Sequence, residues 1–315
     1  MHPILERGSN KMTVSTVNSV AVPANAKLSG CVIFATKGRP EILSEVVETL
    51  ARQTLQPSLI IISATSEADV SSLSDRKDIV FLTGTTGLTS QRNAALRAVP
   101  EHIDFVAFFD DDFVPHPDWL NATASAFERF PDVGSVTGHL LYDGASGKEL
   151  PFNEALTILR EPLERVSEWI RDDESPYGCN MAFRRSAIRG LEFDERLVLI
   201  GWLEDRDYGA RVAERGNRLV KIGNALGVHR GVKQAKGTDR SLGYAQVVNA
   251  VYLHRKGTMS TLSLLRHLTK QIFSNLVWLW YRASSVDRVG RLKGNLLGLR
   301  DVLDRTIDPE RARDL

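Results

Sequence analysis

Three consecutive aspartates, Asp110, Asp111 and Asp112, directly follow the five apolar residues "FVAFF" in this chain. Two carboxylates about 4 Å apart repel each other by ~1 kcal/mol in water and by ~4 kcal/mol at an effective dielectric constant of about 20. A divalent cation removes this repulsion, and such oxygen ligands suit Mg²⁺ or Mn²⁺. A solvated acidic turn at a helix N-terminus is the alternative, but the apolar run before the aspartates favours a metal site.

A second acidic pair, Glu204 and Asp205, lies in the segment "LEDRDYGARVAERG". If 203–215 is a helix, Asp205, Gly209 and Val212 share one face. Asp205 can then point inward beside a small residue, where it could act as a general base. The alternative is that the acids of this segment only complement the helix dipole.

The elements predicted to position these acids are apolar strands that alternate with helices. Continuous apolar strands separated by helices indicate a mostly parallel, Rossmann-like sheet flanked by helices on both faces, an α/β fold. Ligands of such sheets bind beyond the carboxyl ends of the strands, which is where Asp110 lies. The predicted strands are 30–36, 58–63, 78–84, 104–110, 133–142 and 180–185, and the predicted helices include 88–99, 154–171 and 203–216.

The segment "VAFFDDDFV" also fits the haloacid-dehalogenase pattern of four apolar residues followed by Asp-x-Asp-x-Thr/Val. In that interpretation Asp110 is a phosphorylated nucleophile and Asp112 is its acid/base, so the chain is an aspartyl-phosphate phosphohydrolase. That motif normally lies on the first strand of its domain. Here three strands and two helices are predicted before it, which counts against this alternative.

Four stretches occur in a fixed order: "VIFATKGRPEILSEVVETLARQTLQPSLIIIS", "GLTSQRNAAL", "FFDDDFVP" and "GCNMAFRRSAI…FDERLVLIGWLEDRDYGARV". Together they resemble family 2 glycosyltransferases of the GT-A type over roughly 30–230. They match the family's opening strand, helix and second strand, the segment before its metal motif, its Asp-x-Asp element, and its acceptor-side segment. The Gln-x-x-Arg-Trp motif of processive synthases is absent from the sequence, which favours transfer of a single sugar.

The resemblance implies a nucleotide-diphosphate sugar as donor and Mn²⁺ or Mg²⁺ as cofactor, bound by Asp112 and, in "ALGVHRG", by His229. It implies Asp205 as the base that deprotonates the acceptor hydroxyl, with inversion at the anomeric carbon. A structural role is the alternative for His229 and for Trp202. The residues implied in donor binding are Thr36, Arg39, Ser63, Arg92, Asp110 and Asp111, and those implied in acceptor binding are Asn180, Trp202 and Glu204.

Ser63 marks a departure from the family pattern. It lies in "SATSEAD", at the end of the second predicted strand, where the family often has an aspartate that reads the base. A serine can still hydrogen-bond the edge of uracil or thymine. The nucleotide is therefore left open.

Composition and charge describe an ordinary soluble chain, 43% hydrophobic and 25% charged, with a net charge of +1 that argues against nucleic-acid binding. The two cysteines, Cys31 and Cys179, are too few for a disulfide framework and indicate a reducing, cytoplasmic compartment. We expect a flexible leader at 1–28, a catalytic domain at 29–235 and a basic helical region at 236–315. Within the catalytic domain, 29–112 is the expected nucleotide-binding half and 113–235 the acceptor half.

The basic region has nine Lys/Arg and a single acid between 254 and 300. At helical spacing, "LSLLRHLTKQIFSNLVWLWYRA" could lie in the interface of an anionic membrane. The segment 262–300 therefore indicates a peripheral protein at the inner face of the membrane. A helical hairpin packed on the catalytic domain, or a homodimer contact, is the alternative.

The sequence thus predicts a glycosyltransferase that adds one sugar to a saccharide or lipid-linked saccharide, in surface polysaccharide or glycan biosynthesis. The haloacid-dehalogenase-like phosphohydrolase and a non-catalytic nucleotide-sugar binding module are the alternatives.

Overall fold

A computed structural model describes residues 28–145, 147–160, 169–233, 238–277 and 287–315. The predicted leader therefore lies almost wholly outside the described residues. The strands are β1 (Gly30–Thr36), β2 (Leu59–Ala64), β3 (Ile79–Leu82), β4 (Phe105–Asp110), β5 (Phe113–Pro115), β6 (Val133–Asp143), β7 (Ile170–Asp172), β8 (Asn180–Arg184) and β9 (Arg218–His229). The α-helices are α1 (Pro40–Thr49), α2 (Leu88–Ala98), α3 (Trp119–Arg129), α4 (Phe152–Arg160), α5 (Glu204–Glu214), α6 (Asp239–Lys256), α7 (Thr261–Val277) and α8 (Arg288–Leu303).

All nine described strands form one sheet in the order β3-β2-β1-β4-β8-β6-β9-β5, with β7 paired to β9. β1, β2, β3 and β4 run parallel, as their continuous apolar sequences predict. β8 runs antiparallel between β4 and β6. The turn before β8 therefore lies beside the carboxyl end of β4, and Asp110 N donates to Cys179 O at 3.2 Å.

Alternate residues of the central strands enter two separate cores, because successive side chains of a strand point to opposite faces. Val32 and Phe34 of β1 pack on the face covered by α1, α3 and α4. Cys31 and Ile33 pack on the face covered by α2 and α5. The sheet is thus flanked by helices on both faces, which confirms the predicted α/β fold class.

Three elements differ from the sequence prediction. The helix predicted over 154–171 is wrong at its end, since Ile170–Asp172 pairs with β9 as a strand, while 161–168 lies outside the described residues. The short strand β5 was not predicted, and neither was the long strand β9. Its sequence "RLVKIGNALGVH" contains Gly223 and Gly227, which weaken a strand pattern, and its pairing with β6 and β5 supplies the stability.

The predicted C-terminal helices are present as α6, α7 and α8, with 278–286 outside the described residues. α6 packs directly on the catalytic part of the chain, since Lys256 Nζ lies 2.9 Å from Asp207 Oδ2 of α5 and Asn249 Nδ2 donates to Trp202 O at 2.9 Å. α6 therefore joins the C-terminal helices to α5 and to the loop before it. None of the helices in the described ranges has the length and apolarity needed to span a bilayer.

Candidate active site

The three aspartates at the end of β4 lie in different environments. The Asp110 side chain is 34% exposed, whereas those of Asp111 and Asp112 are 1% and 3% exposed. The chain turns sharply here from β4 into β5, so neighbouring carboxylates point in different directions. This separation limits their repulsion and gives each acid its own partners.

Asp110, Asp112 and His229 form a cluster in which one ligand atom from each residue lies within 4.8 Å of the others. β5 and β9 pair with Phe113 opposite His229, which places the imidazole against the aspartates. His229 Nε2 lies 3.4 Å from Asp112 Oδ1 and 4.0 Å from Asp110 Oδ2. Ligand atoms around a small octahedral cation lie about 3–4 Å apart. The residues therefore fit a divalent metal ion.

The imidazole of His229 is held in place by a second carboxylate. Its Nδ1 lies 2.9 Å from Asp143 Oδ1, and Tyr177 Oη donates to Asp143 Oδ2 at 3.0 Å. A histidine whose one nitrogen is bound to a carboxylate presents the other nitrogen to a metal in a fixed tautomer. The sequence reasoning missed Asp143, although it ends the long strand β6 much as Asp110 ends β4.

The cluster is electrostatically coupled. Burial opposes ionisation of Asp112, but the hydrogen bond and charge of His229, with Arg39, lower the pKa of Asp112 to about 2. Burial likewise disfavours the imidazolium, but Asp112 and Asp143 raise the pKa of His229 to about 10. The acids and the imidazole therefore stabilise each other's charged forms.

Asp143→Asn is expected to weaken Mn²⁺ binding by about 10- to 100-fold, because the imidazole loses the carboxylate that orients it. Calorimetric titration of the full chain with Mn²⁺ measures the effect. Asp172→Asn, which changes an acid with a 75% exposed side chain on β7, is the matched control and should bind Mn²⁺ as the wild type does. Equal affinity of Asp143→Asn and wild type would show that Asp143 does not position His229.

Asp111 connects the aspartates to the end of β1. Thr36 Oγ1 donates to Asp111 Oδ2 at 2.7 Å, and Arg39 Nη2 lies 2.9 Å from Asp111 Oδ1. Burial raises the pKa of Asp111 to about 7, against the charge of Arg39. Thr36 and Arg39, both predicted donor residues, border the same cavity as Asp110 and Asp111.

Arg92 links the end of β4 to the start of α5. Its side chain is 2% exposed, its Nη2 donates to Gly178 O at 2.8 Å and to Asp110 Oδ1 at 3.3 Å, and its Nη1 pairs with Glu204. Burial raises the pKa of Glu204 to about 8, although Arg92 opposes this. The sequence predicted Arg92 as a donor contact, but its partners within the chain favour a positioning role.

Arg92→Met is expected to destabilise the fold by about 3 kcal/mol, because it leaves Glu204 and Asp110 without their buried cation. Urea unfolding measures the change. Arg97→Met, five residues further along α2, removes a pair between side chains 58% and 50% exposed. That control should change stability by no more than about 1 kcal/mol. Equal losses in the two variants would contradict a structural role for the buried cation.

Asp205 lies at the start of α5 and borders the cavity. Its Oδ2 accepts from Gly178 N at 2.9 Å and its Oδ1 accepts from Arg206 N at 2.7 Å. Burial raises the pKa of Asp205 above its usual range, while these two backbone groups oppose the shift. A Cβ on Gly178 would lie 3.0 Å from Glu204 Oε1 and 3.4 Å from Asp205 Oδ2, so the close approach of the two carboxylates favours glycine there.

The backbone before Asp205 is strained. Leu199 and Leu203 have φ of 61° and 72°, a left-handed conformation that costs a non-glycine residue roughly 1–2 kcal/mol. Contacts from the C-terminal helices hold this loop, since Leu203 packs against the cluster of Leu197, Ala250 and Leu253. Strain of this kind concentrates at functional sites. Here it sets the direction in which α5 begins.

A cavity of about 990 Å³ joins these groups. That is at the upper end of the size expected for a ligand pocket. It is bordered by Thr36, Arg39, Asp110, Asp111 and His229, and also by Trp202, Arg206, His267, Lys270, Gln271 and Arg313. The C-terminal helices therefore supply part of the wall. The expected boundary near residue 235 does not separate the site from the basic region.

Two residues predicted to contact substrates lie away from this cavity. Ser63 and Asn180 are fully buried, and neither borders the cavity. Ser63 contributes through its carbonyl, which accepts from Gln91 Nε2 at 2.8 Å. Asn180 begins β8, where the antiparallel pairing with β4 turns its side chain into the interior. This geometry does not support direct donor contact by Ser63 or direct acceptor contact by Asn180.

The sheet, the acids at the end of β4 and the cavity beside them define a glycosyltransferase of the GT-A type. The chain belongs to glycosyltransferase family 2, because the family model "Glycosyl transferase family 2" matches residues 31–191. This confirms the resemblance seen in the sequence. It also overturns the haloacid-dehalogenase alternative, since the Asp-x-Asp motif lies on the fourth strand of a GT-A sheet. Membership of a glycosyltransferase family likewise overturns the non-catalytic alternative.

Among curated proteins, the chain is similar to the glucosyl-dolichyl phosphate glucuronosyltransferase of Haloferax volcanii, with 28% identity over 168 residues. The match covers 51% of this chain and 54% of the relative, so the chain spans about half the length of that protein.

The fold is similar to that of a mannosyltransferase from Pyrobaculum calidifontis solved with GDP-Man and Mn²⁺, with TM-score 0.53, 16% identity, and coverage of 96% of this chain and 82% of that one. It is also similar to S. aureus TarS in complex with UDP-GlcNAc, with TM-score 0.53, 13% identity, and coverage of 91% and 88%.

Proposed function

We propose that this glycosyltransferase moves one sugar from a nucleotide-diphosphate donor to a saccharide or lipid-linked saccharide, with inversion and with a divalent metal ion. The observation that carries the proposal is the shared cavity. Asp110 and His229 border it, and so does Asp205 of α5. A donor diphosphate and an acceptor hydroxyl can therefore meet between them.

Asp112 and His229, with Asp110, would hold the metal ion. The mixed set of carboxylates and imidazole favours Mn²⁺, since Mg²⁺ prefers oxygen ligands and keeps more waters. When bound, the ion would act as a Lewis acid on the leaving diphosphate. Arg39 borders the same cavity as Asp110 and His229 and can add a positive charge there. Asp111 keeps Arg39 in place through the 2.9 Å ion pair.

Asp205 would accept the proton of the acceptor hydroxyl as the acceptor oxygen attacks the anomeric carbon. The Asp205 carboxylate has two backbone donors that fix its orientation, and its raised pKa makes it a stronger base than an ordinary aspartate. Glu204 is less suited to this role, because Arg92 holds its carboxylate in the interior. A single base with direct attack gives inversion.

A lipid-linked acceptor is supported by an exposed surface on α7 and α8, here called the apolar-basic surface. Eight of the eleven large apolar side chains exposed in the described residues belong to these two helices, a concentration unusual for scattered surface residues. The eight are Leu262, Leu265, Phe273, Leu276, Val277, Val289, Leu296 and Leu303. Trp278, Trp280 and Tyr281, which the sequence assigned to the same face, lie outside the described residues.

Cations alternate with these apolar side chains. Arg266 and Lys270 of α7 and Lys293 and Arg300 of α8 are exposed. Apolar side chains among cations complement an anionic lipid surface. A two-fold homodimer through this surface would bring the same cations face to face, which disfavours that alternative. The named activity of the Haloferax volcanii relative involves a dolichyl phosphate, which is consistent with work at the cytoplasmic face of a membrane in polysaccharide or glycan synthesis.

The double variant Leu262→Ser/Phe273→Ser is expected to bind vesicles that contain phosphatidylserine at least ten-fold more weakly than wild type, since it removes two apolar side chains, each worth about 1.5 kcal/mol or more when buried. Vesicle sedimentation of the full chain measures this. Val80→Ser, an exposed apolar residue on β3, is the control and should bind normally. No binding of the wild type to these vesicles, or a dimer in solution that the double variant dissociates, would contradict the membrane proposal.

The proposed reaction is tested with a panel of nucleotide diphosphates and their sugars, with and without Mn²⁺, by thermal shift of the full chain. We expect one nucleotide to raise the unfolding temperature only when Mn²⁺ is present, and its sugar to be consumed when an acceptor is added. Stabilisation by none of the nucleotides would contradict the donor class.

A further inference from the structure

We infer that the part of the cavity wall formed by Arg206, Lys270 and Arg313 binds a phosphate group carried by the acceptor. The inference rests on the proposed glycosyl transfer and adds the chemistry of the acceptor to it. All three residues border the same cavity as Asp110, His229 and Asp205. This part of the wall is called the acceptor-phosphate subsite below.

The cations of the acceptor-phosphate subsite have few close carboxylate partners. In the described ranges, Arg206 and Lys270 have no carboxylate within 4.0 Å, and Arg313 has only Glu310 at 3.8 Å, with both side chains exposed. Among the predicted donor residues, by contrast, Arg39 lies 2.9 Å from Asp111. Cations that border a cavity without a close carboxylate raise the local concentration of anions and can form charge-assisted hydrogen bonds to phosphate.

Arg206 and Lys270 come from two different helices but border one cavity together with His267. Arg206 belongs to α5 and Lys270 to α7, and His267 Nε2 lies 3.1 Å from Gln246 O. Burial, the largest cause, and the charges of Arg206 and Lys270 lower the pKa of His267 to about 4. The neutral ring adds no positive charge of its own, so an anion bound at this wall would be held by cations from two helices.

The subsite lies next to the proposed base. Arg206 follows Asp205 in α5, and its backbone N–H donates to the Asp205 carboxylate at 2.7 Å. An anion bound by the Arg206 side chain would therefore be near the hydroxyl that Asp205 deprotonates. This favours a phosphate close to the acceptor sugar over an anion many residues away along a glycan.

α7 connects the subsite to the apolar-basic surface. His267, Lys270 and Gln271 border the cavity, while Leu262, Phe273 and Val277 of the same helix are exposed. Lys270 is itself exposed, so it lies where the cavity wall meets the outer face of the helix. A group that joins a sugar to a hydrocarbon chain would lie at this edge, and in a lipid-linked saccharide that group is a phosphate.

The test uses hexyl phosphate, hexyl glucoside and inorganic phosphate as probes, with Mn²⁺ and the nucleoside diphosphate that binds best present to fill the proposed donor site. Calorimetry of the full chain is expected to show binding of hexyl phosphate. Arg206→Gln/Lys270→Gln should weaken that binding at least ten-fold, which corresponds to about 1.4 kcal/mol. Binding of nucleotide with Mn²⁺ should stay at the wild-type level, and Lys77→Gln, an exposed lysine outside the cavity, should change neither.

The outcomes separate the inference from the proposed function. Competition by inorganic phosphate, or binding retained in Arg206→Lys but lost in Arg206→Gln, would support phosphate recognition even if the double variant folds poorly. Unchanged hexyl phosphate binding in the folded double variant would overturn the inference, as would hexyl glucoside binding equal to that of hexyl phosphate. Failure of every nucleotide to bind the wild type with Mn²⁺ would instead overturn the proposed donor chemistry.

Discussion

Asp205→Asn is expected to lower kcat by about 10²- to 10⁴-fold, the range typical of a lost general base. The amide cannot take the acceptor proton. It keeps the size of the carboxylate, and its oxygen can still accept from Gly178 N, which is 2.9 Å away in the wild type. Steady-state turnover with the donor identified by thermal shift, and donor affinity measured by calorimetry, test this. Donor affinity should be unchanged, because the variant leaves Asp110, Asp112 and His229 intact.

The same assignment predicts a pH dependence. The base must be ionised to act, so kcat/KM should rise with pH through the pKa of Asp205 and fall below it. Burial raises that pKa, so the acidic limb should lie above the value of about 3.9 for a free aspartate. Asp205→Asn should lose this limb. Glu214→Gln, at the exposed end of α5, should keep both the rate and the pH profile. Near-normal turnover of Asp205→Asn would remove Asp205 as the base.

Asp112→Asn is expected to lower metal-dependent transfer by about 10³-fold or more, since Lewis-acid stabilisation of the leaving group is worth several kcal/mol and each 1.36 kcal/mol is about ten-fold in rate. The variant replaces a charged ligand with a neutral amide. It also disturbs the 3.4 Å contact with His229 and the 2.6 Å hydrogen bond from Val232 N. Calorimetry with Mn²⁺ and turnover of the donor–acceptor pair measure the two effects separately.

Asp78→Asn provides the control, because Asp78 belongs to an exposed ion pair with Arg76 whose side chains are 59% and 38% exposed. It should bind Mn²⁺ and turn over as the wild type does. Thermal unfolding must show that Asp112→Asn remains folded, given the burial of this side chain. Wild-type Mn²⁺ affinity in a folded Asp112→Asn would place the metal site elsewhere and remove the main support for the proposed reaction.

The first half of the sheet could be predicted because its information is local. The apolar runs that form β1 to β4 are each continuous, and strands that enter a core on both faces need no polar alternation. The strands of the second half were harder to predict from the sequence. β9 contains glycines and is stabilised by its pairing with β6 and β5. The end of the helix predicted over 154–171 instead forms β7, because it pairs with β9.

The candidate site shows the same division. Residue types placed an acidic cluster at a strand end and an acidic pair at a helix start, and Asp110, Asp112, His229 and Asp205 all lie where such chemistry could occur. The sequence did not show which way each side chain points, because that direction depends on the residues it packs against or pairs with. Ser63 and Asn180 face the interior, and Arg92 pairs with a carboxylate 112 positions away.

By itself, the sequence determined the α/β class, the family resemblance and the acids available for metal and proton chemistry, since these follow from short runs of residues. Only the tertiary structure decided that Asp143 orients His229 across 86 positions and that α7 supplies part of the cavity wall. The physical reason is that a hydrogen bond or a cavity wall depends on distances in space. Those distances are set by the packing of the whole chain, and no local pattern of residues contains them.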